Sequence, residues 1–404
     1  MGSRSQPIIR EIEAIPLSAM WEELYGGMEH VPPSLLRPSS HFQSIPRLGQ
    51  FSTVVKVTDS DGLVGIGEAW GLPHADITAT IVRQLLRPVA LGRSAEDIDG
   101  LWELFVTSAE SLGHTRGFML EAISGLDIAL WDLRGKRAGL PLSGLLGGRL
   151  RERIDCYASP IRFSGQPADT IENALEFTSL GFRGVKIKAG RTVEQDVAYV
   201  AAVREALGPD LRILIDFNCA YDTERTIAFA KEVEPLDIYW LEEPVPPDHV
   251  EAYEEIRRRS PIRISAGEND FSVQQFRQLI EKGAVDVINP NVTRAGGVTG
   301  VRRIQAISEA NGVDIAMHGV GGGIMMAASL QLMSTFRNGL CMEYNRFPNP
   351  LREELVLPPI AFSEGTMGVP EGIGLGCILQ DEVVARFRSR SSSRCGHLGG
   401  ACHS

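Results

Sequence analysis

The sequence predicts an α/β protein in which a (β/α)7β TIM-type barrel follows a smaller α+β domain. From Arg153 onward, short apolar strands alternate with amphipathic helices. Polar residues end these strands at intervals of 23 to 28 residues, a period typical of repeated right-handed βα units. An open sheet gives no reason for polar residues at successive strand ends, so a closed barrel is favoured.

Most of the predicted barrel strands end in polar or charged residues whose side chains can bind a ligand or take part in catalysis. These strands end near Ser159, Lys188, Asp216, Glu242, Gly267, Asn291, His318 and Glu343. In TIM barrels the active site lies at the carboxyl ends of the strands. We therefore expect these side chains to face a common site.

The N-terminal part predicts a small antiparallel sheet. Residues 6–16 alternate weakly and predict a first strand. Residues 51–70 predict a hairpin, because two alternating runs meet at Asp61 and Gly62, a strong turn signal. Residues 17–50 are rich in Pro, Ser, Gly and His, which indicates a long loop that covers or reads a binding site.

Three helices are predicted to cover this sheet, at 75–91, 95–111 and 117–138. Ser94 is the expected N-cap of the second helix, because its hydroxyl can accept a hydrogen bond from a free backbone N–H of the first turn. The helices complete an α+β layer in front of the barrel.

The chain is thus expected to divide into two domains and a tail. Residues 1–150 form the α+β domain, and residues 346–388 complete it. Within this second segment, residues 346–376 are rich in Pro and Gly and leave the barrel. The barrel spans residues 151–345. Residues 389–404 contain few apolar side chains and are predicted to be disordered.

Composition excludes several classes of partner. The chain has 404 residues and a net charge of −11, which argues against nucleic acid or an anionic membrane. No apolar run approaches the ~20 residues of a transmembrane helix, and the first residues do not resemble a signal peptide. We expect a cytoplasmic homo-oligomer that acts on a small-molecule carboxylate.

Cysteine usage agrees with a reducing compartment. The sequence has no CxxC pair, so reduced thiols are expected rather than disulfides. The six cysteines are Cys156, Cys219, Cys341, Cys377, Cys395 and Cys402.

Three carboxylates follow consecutive strands at equal spacing. Asp216, Glu242 and Glu268 lie 26 residues apart and predict a divalent-cation site at the barrel mouth. Ligation by oxygen alone favours Mg²⁺, with Mn²⁺ as the alternative. Glu243 points to the other side of its strand and is expected to be structural.

Two lysines precede the carboxylates by one strand. Lys186 and Lys188 are two residues apart and therefore share one face of the strand. Each ammonium, beside the other and beside a cation, is expected to have a lowered pKa. A neutral lysine near pH 7 to 8 can act as a general base.

Together these motifs resemble the enolase superfamily in its mandelate racemase subgroup. They are KIK (186–188), DFN (216–218), EEP (242–244), GEN (267–269) and a late strand-end His318. AISGLDIALWDLRGK (122–136) with LLGG (145–148) resembles the segment that precedes the barrel in that family. MEYNRFPNPLREEL (342–355) is most similar to its sugar-acid cycloisomerases, with acid-sugar dehydratases nearly as close.

The resemblance implies a role for each matching residue. It implies Asp216, Glu242 and Glu268 as ligands of Mg²⁺. It implies Lys188 as the base and Lys186 as a donor to the substrate carboxylate. Asn218 is expected near the metal and substrate, and Glu343 is expected to hydrogen-bond a carboxylate oxygen. The loop 17–50 and the first hairpin are expected to act as lid and specificity elements.

One position departs from the family pattern. The family pairs the late histidine with an Asp, but here the partner of His318 is Asn291. A neutral amide cannot stabilise imidazolium as a carboxylate does, so His318 is expected to be a weaker base and to serve as an acid. The implied reaction is removal of the proton α to a carboxylate, followed by β-elimination. Racemisation or epimerisation, and a metal-binding barrel without turnover, are the alternatives.

Overall fold

The N-terminal sheet contains three antiparallel strands in the order β1-β2-β3. They span β1 Ile9–Met20, β2 Gly49–Asp59 and β3 Val64–Trp70. A computed structural model describes residues 6–39, 46–161 and 166–389 of the chain. The predicted hairpin is confirmed, with Gly62 at φ 83° in its turn.

The predicted loop 17–50 is wrong at both ends. Pro16 does not end β1, because it pairs with Thr53 on an edge strand, where proline is tolerated. Leu17 and Ala19 continue the buried face of the strand. Two short helices follow, α1 Trp21–Tyr25 and α2 Pro33–Leu36, with the 3₁₀ turn Met28–His30 between them. Residues 40–45 lie outside the described part of the chain.

Helices cover one face of the sheet, as predicted. They are α3 Ala75–Ile81, a π turn at Val82–Leu86, α4 Arg87–Ala90, α5 Ile98–Ser111, α6 Phe118–Ala138 and α7 Leu142–Leu145. Ser94 is not the N-cap of α5. Asp97 caps it by accepting a hydrogen bond from Gly100 N (3.1 Å).

The helix α6 lies in contact with β3 because glycines replace side chains there. A Cβ at Gly67 would lie 2.1 Å from the backbone oxygen of Gly125, and one at Gly65 would lie 2.1 Å from that of Ala129. On another side of α6, Asp127 accepts hydrogen bonds from Thr299 N (2.9 Å) and Thr299 Oγ1 (2.6 Å). The helix is thereby fixed between the N-terminal sheet and the barrel.

The barrel has eight parallel strands, and the predicted fold class is confirmed. They are β4 Arg153–Ile161, β5 Gly184–Lys188, β6 Arg212–Asp216, β7 Ile238–Glu242, β8 Ile264–Ala266, β9 Val287–Ile288, β10 Asp314–Met317 and β11 Gly339–Asn345. The last strand pairs in parallel with the first, with Glu343 opposite Tyr157, and closes the barrel.

In the described part of the barrel, seven α-helices connect these strands. They are α8 Pro167–Ser179, α9 Val193–Leu207, α10 Thr223–Glu232, α11 Val250–Arg259, α12 Val273–Glu281, α13 Gly297–Ala310 and α14 Gly323–Met333. Their buried faces and many strand side chains form one continuous apolar core with the N-terminal domain. Other strand residues, including Leu214 and Trp240, form a separate apolar cluster.

The C-terminal segment contacts both parts of the molecule. It comprises α15 Pro350–Glu353, β12 Val356–Leu357, β13 Phe362–Ser363, β14 Thr366–Gly368, β15 Ile378–Leu379 and α16 Asp381–Phe387. Strand β14 pairs with the start of β4. After α16, Ser389, the first residue of the predicted disordered tail, donates its backbone N–H to Pro16 O (2.9 Å). Residues 390–404 lie outside the described part of the chain.

The described residues bear on two expectations, one about membrane-spanning helices and one about cysteines. No helix in them is long and apolar enough to cross a membrane. Cys156, Cys219, Cys341 and Cys377 are free thiols, while Cys395 and Cys402 lie outside the described residues.

Candidate active site

Strand register places the predicted reactive residues side by side. In the parallel ladder, Lys188 is level with Asp216, Asp216 with Glu242, and Glu242 with Ser265. Glu268 follows β8 by two residues, and His318 directly follows β10. The carboxyl ends of four neighbouring strands, β5 to β8, and of β10 therefore bring these groups to one mouth of the barrel.

The three carboxylates converge as a set of oxygen ligands. One oxygen from each of Asp216, Glu242 and Glu268 lies within 4.8 Å of the others. Asp216 and Glu242 are buried, and Glu268 is partly exposed toward the cavity. Three hard oxygen donors without histidine or thiolate fit a divalent cation that prefers oxygen.

Asn218 points an unused acceptor into the same region. Its Oδ1 is buried and has no hydrogen-bond partner among the described residues. Its backbone N donates to Asp216 Oδ1 (2.9 Å), and its φ of 44° turns the chain sharply after β6. An unsatisfied buried amide oxygen indicates a ligand or metal-bound group nearby.

The two lysines occupy different depths. Lys186 Nζ is buried and lies 2.5 Å from Glu242 Oε1, 3.3 Å from Asp216 Oδ2 and 3.4 Å from Glu343 Oε1. Lys188 Nζ lies 2.5 Å from Asp216 Oδ2, and this lysine lines the cavity. Only the second lysine is in position to touch a molecule in the cavity.

The protein's own groups act against the expected lowering of the lysine pKa values. Burial favours the neutral amine of Lys186, yet Glu242 and then Glu343 outweigh it and raise its pKa well above the usual value. Burial acts likewise on Lys188, but Asp216 outweighs it and the pKa is raised. The carboxylates lie closer to each amine than the strand pattern revealed, so attraction exceeds repulsion between the lysines.

His318 lies between two carboxylates. Its Nε2 is 3.2 Å from Glu268 Oε2 and 3.4 Å from Glu343 Oε2. Burial nevertheless lowers the pKa of His318, with Glu268 and Glu343 opposing that change. Burial also opposes ionisation of Glu343, but Lys186 and His318 outweigh it and lower the pKa of Glu343 to about 2. Glu343 is therefore ionised and accepts hydrogen bonds, including one from Gly319 N (3.0 Å).

Asn291 fixes the tautomer of His318. The amide oxygen of Asn291 accepts from Thr293 N (2.9 Å) and Thr293 Oγ1 (2.6 Å). Its Nδ2 donates to Val320 O (3.0 Å) and lies 3.0 Å from His318 Nδ1. Because a donor faces Nδ1, that nitrogen accepts, and the imidazole proton resides on Nε2. This hydrogen-bond network assigns a neutral His318 whose Nε2–H faces the two carboxylates.

Two charged residues, Glu243 and Arg294, hold the segment around Glu268 in place. Glu243 was expected to be structural, and it accepts from Asn269 Nδ2 (2.6 Å) and Asn269 N (3.1 Å) in the loop after β8. Arg294 was missed: it donates to Glu268 O (2.7 Å) and stacks on Trp70, 4.8 Å from the ring centroid. The only available signal was a cationic side chain three residues after Asn291.

A cavity of about 490 Å³ connects these groups to the N-terminal domain. Its barrel side includes Lys188, Asn218, Glu268, His318 and Glu343. Its N-terminal side includes Met20, Arg47, Phe51, Trp70 and His74. A larger cavity of about 610 Å³ has none of these residues in its lining. The smaller cavity is therefore the candidate active site.

Family models match most of the chain. The model described as "Enolase C-terminal domain-like" matches residues 169–383. The model described as "Mandelate racemase / muconate lactonizing enzyme, N-terminal domain" matches residues 41–147.

Characterised relatives are similar over most of their length. D-galactarolactone cycloisomerase from Agrobacterium fabrum is 34% identical over 347 residues, which are 83% of this chain and 90% of the relative. A 3,6-anhydro-alpha-L-galactonate cycloisomerase from Streptomyces coelicolor is 32% identical and covers 82% of this chain and 90% of its own.

Solved structures share the whole fold. The 3,6-anhydro-D-galactonate cycloisomerase from Zobellia galactanivorans has a TM-score of 0.83 and 31% identity, and the match covers 96% of this chain and 100% of that chain. A racemase from Streptomyces coelicolor with bound magnesium has a TM-score of 0.83 and 29% identity, with 95% and 100% covered.

Proposed function

Because the chain belongs to the mandelate racemase and muconate lactonizing enzyme group of the enolase superfamily, we propose a metal-dependent β-elimination on a sugar acid. The substrate is the acid itself or its lactone or anhydro form. The observation that carries the proposal is the arrangement of one cavity. A lysine, three convergent carboxylates and a histidine whose Nε2–H faces Glu268 and Glu343 all border it or lie directly beneath it.

We propose Mg²⁺ as the cation, with Mn²⁺ as the alternative, held by Asp216, Glu242 and Glu268. The oxygen-only donor set and the unsatisfied Asn218 Oδ1 support this choice. When bound, the cation stabilises negative charge that develops on the substrate carboxylate as the α-proton leaves. Lys186, held protonated by three carboxylates, adds a second positive charge beneath the same site.

Lys188 is the proposed base because it is the lysine that lines the cavity. Asp216 is the main group that stabilises the positive charge of Lys188, with Oδ2 at 2.5 Å from Nζ. Sharing the Asp216 carboxylate with a cation weakens the attraction that raises the pKa of Lys188. The amine can then accept the α-proton.

His318 is proposed to act on the leaving oxygen. With its proton on Nε2, it can donate a hydrogen bond to that oxygen but has no free lone pair on Nε2 to abstract a proton. Epimerisation needs a base on each face of the α-carbon, so the Asn291 network favours elimination. A neutral imidazole is a weak acid, and a leaving group that departs as a stable anion, such as the carboxylate of a lactone, is therefore favoured over hydroxide.

The two-domain arrangement supports the same proposal. We propose that residues 1–150, with 346–388, act as a cap that selects the substrate above a barrel at 151–345. Each contributes one side of the cavity. The contacts of β14 with β4, and of Ser389 with Pro16, tie the C-terminal segment to both.

Incubation in D₂O with Mg²⁺ tests the function. The protein would be mixed with a panel of aldonic acids, aldaric acids, lactones and anhydro acids, and followed by NMR. We expect loss of the α-proton signal and growth of a deoxy-keto acid for at least one compound. The absence of both exchange and product across the panel would contradict the proposal. Exchange with inversion and without elimination would favour an epimerase.

A further inference from the structure

Besides Lys188, the cavity lining contains two arginines, and one of them, Arg47, belongs to the N-terminal side. Arg47 lies just before β2, is 6% exposed and lines the cavity together with Lys188. Arg294 also lines it, but its guanidinium is engaged by Glu121 Oε1 (3.1 Å) and Glu268 O (2.7 Å). Arg47 therefore differs from the other arginine in this wall.

Neutral groups fix the position of Arg47. Its Nη2 donates to Gln50 Oε1, and its Nε donates to Gly49 O (3.3 Å). Gln50 is itself oriented, because its Nε2 donates to Pro348 O (3.0 Å). The guanidinium also lies 5.7 Å from the centroid of the Phe347 ring. These contacts hold the side chain in one place without neutralising it.

This buried charge has no counterion in the part of the chain that the structure describes. Among the described residues Arg47 has no ion pair, and the charged neighbour that acts on it is Arg352, of the same sign. The segments outside the description contain no Asp or Glu. Burial, and to a lesser extent Arg352, lowers the pKa of Arg47 to about 10, which leaves it charged at neutral pH. By contrast, Arg352 has Glu353 at 2.8 Å.

Buried charges in proteins are normally paired, because removing an ion from water is costly without a partner. A guanidinium held by neutral groups in a ligand cavity matches an anion that arrives with the ligand. Its single charge matches one carboxylate, whereas a phosphate dianion would keep an unpaired charge.

We propose that Arg47 binds a second carboxylate, remote from the one at the metal site, so that the enzyme handles sugar dicarboxylates rather than aldonic acids. This inference rests on the proposed function. The second carboxylate has two possible sources. An open-chain aldaric acid brings both carboxylates. A monolactone brings one and releases the other: the α-proton passes to Lys188, the β C–O ring bond breaks, and its electron pair stays on the oxygen of the new carboxylate.

Matched substrate pairs test the proposal by turnover. Galactarate and galactonate, glucarate and gluconate, and mannarate and mannonate differ only in a terminal carboxylate or hydroxymethyl group. We expect a dicarboxylate, or its monolactone, to have a kcat/KM about 10- to 100-fold above the matching aldonate, the range for charge-assisted hydrogen bonds. Arg47→Met should remove that preference, and Arg47→Lys should retain part of it. A preference for aldonates, or one that Arg47→Met leaves intact, overturns the proposal.

The separate values of kcat and KM distinguish the open-chain acid from the monolactone as the source of the second carboxylate. If the open-chain acid is the substrate, Arg47→Met raises KM, because both carboxylates are present on binding. If the monolactone is the substrate, the variant lowers kcat, because the second carboxylate forms only during the reaction. Arg83→Met is the matched control, since it removes a guanidinium of the N-terminal domain that donates to Ala14 O (2.6 Å) and lies outside the cavity lining. This control should keep the wild-type ratio of kcat/KM for the dicarboxylate to kcat/KM for the matching aldonate. A loss of that ratio equal to the loss in Arg47→Met would contradict the role of Arg47.

A binding measurement separates this inference from the proposed reaction. The melting temperature of the Mg²⁺-loaded protein would be measured with each of the six acids, independently of turnover. Dicarboxylates should stabilise the wild type more than aldonates do, and Arg47→Met should lose the difference. If dicarboxylates stabilise the wild type more but no acid exchanges its α-proton, the carboxylate site at Arg47 is supported and the proposed function is contradicted. Equal shifts for both members of every pair would overturn the Arg47 site.

Discussion

The two sides of the cavity are built by different rules. On the barrel side, each reactive residue stands at a strand end or shortly after one, and parallel register sets its neighbours. On the N-terminal side, Met20, Arg47 and Phe51 come from the end of β1, an irregular segment and β2. The geometry of the barrel side is therefore fixed by strand register, while that of the N-terminal side depends on an irregular segment and on the packing of a separate sheet.

The largest effect is expected when the barrel side loses one of the three proposed metal ligands. Asp216→Asn removes one of the three oxygen charges and the partner of both lysines. We expect Mg²⁺ binding, measured by calorimetry, to weaken by at least about 10-fold. Activity should fall with every substrate. Asp155→Asn, at the start of β4 and paired with Arg212, is the control and should bind Mg²⁺ as the wild type does. Unchanged Mg²⁺ affinity in Asp216→Asn would remove this residue from the metal site.

Sequence reasoning succeeded where local pattern determines position. The βα period placed the eight strands, and their register then brought Asp216, Glu242 and Lys188 together. It failed where distances between elements decide. The pKa of Lys188 depends on the 2.5 Å distance between its Nζ and Asp216 Oδ2. The unpaired charge of Arg47 depends on the folded positions of the carboxylates, none of which pairs with it among the described residues. No periodic signal in one sequence encodes either quantity.

A smaller effect is expected at the Asn291–His318 pair. In Asn291→Asp, a carboxylate can accept from Nδ1–H, so the tautomer changes and Nε2 gains a lone pair. The carboxylate also favours imidazolium and raises the pKa of His318, which burial now lowers. Below the raised pKa the imidazole is charged, and above it Nε2 can act as a base.

The expected result for Asn291→Asp is a new ionisation in the pH–rate profile and α-deuterium incorporation with inversion above that pKa. Elimination should decrease. Asn311→Asp, at the end of α13, adds the same charge away from the cavity and should change neither property. An unaltered pH profile and stereochemistry in Asn291→Asp would show that residues 291 and 318 are not coupled.

The smallest effect is expected on the N-terminal side. Phe51 lines the cavity and its ring centroid lies 5.5 Å from that of His74. Phe51→Leu should raise KM by about 10-fold or less, since small changes in an apolar contact discriminate weakly, and kcat should change little. Steady-state kinetics would check this. A fall in kcat comparable to that of Asp216→Asn would mean that the two sides of the cavity are not functionally distinct.

The division of labour between Lys188 and His318 is the central claim, and α-proton exchange in D₂O tests it most directly. Lys188→Ala should abolish exchange, with a loss of at least about 10²–10⁴-fold, the usual contribution of a general base. His318→Asn should still exchange the α-proton while forming the elimination product more slowly. Near wild-type exchange in Lys188→Ala, together with its loss in His318→Asn, would make His318 the base and contradict the account.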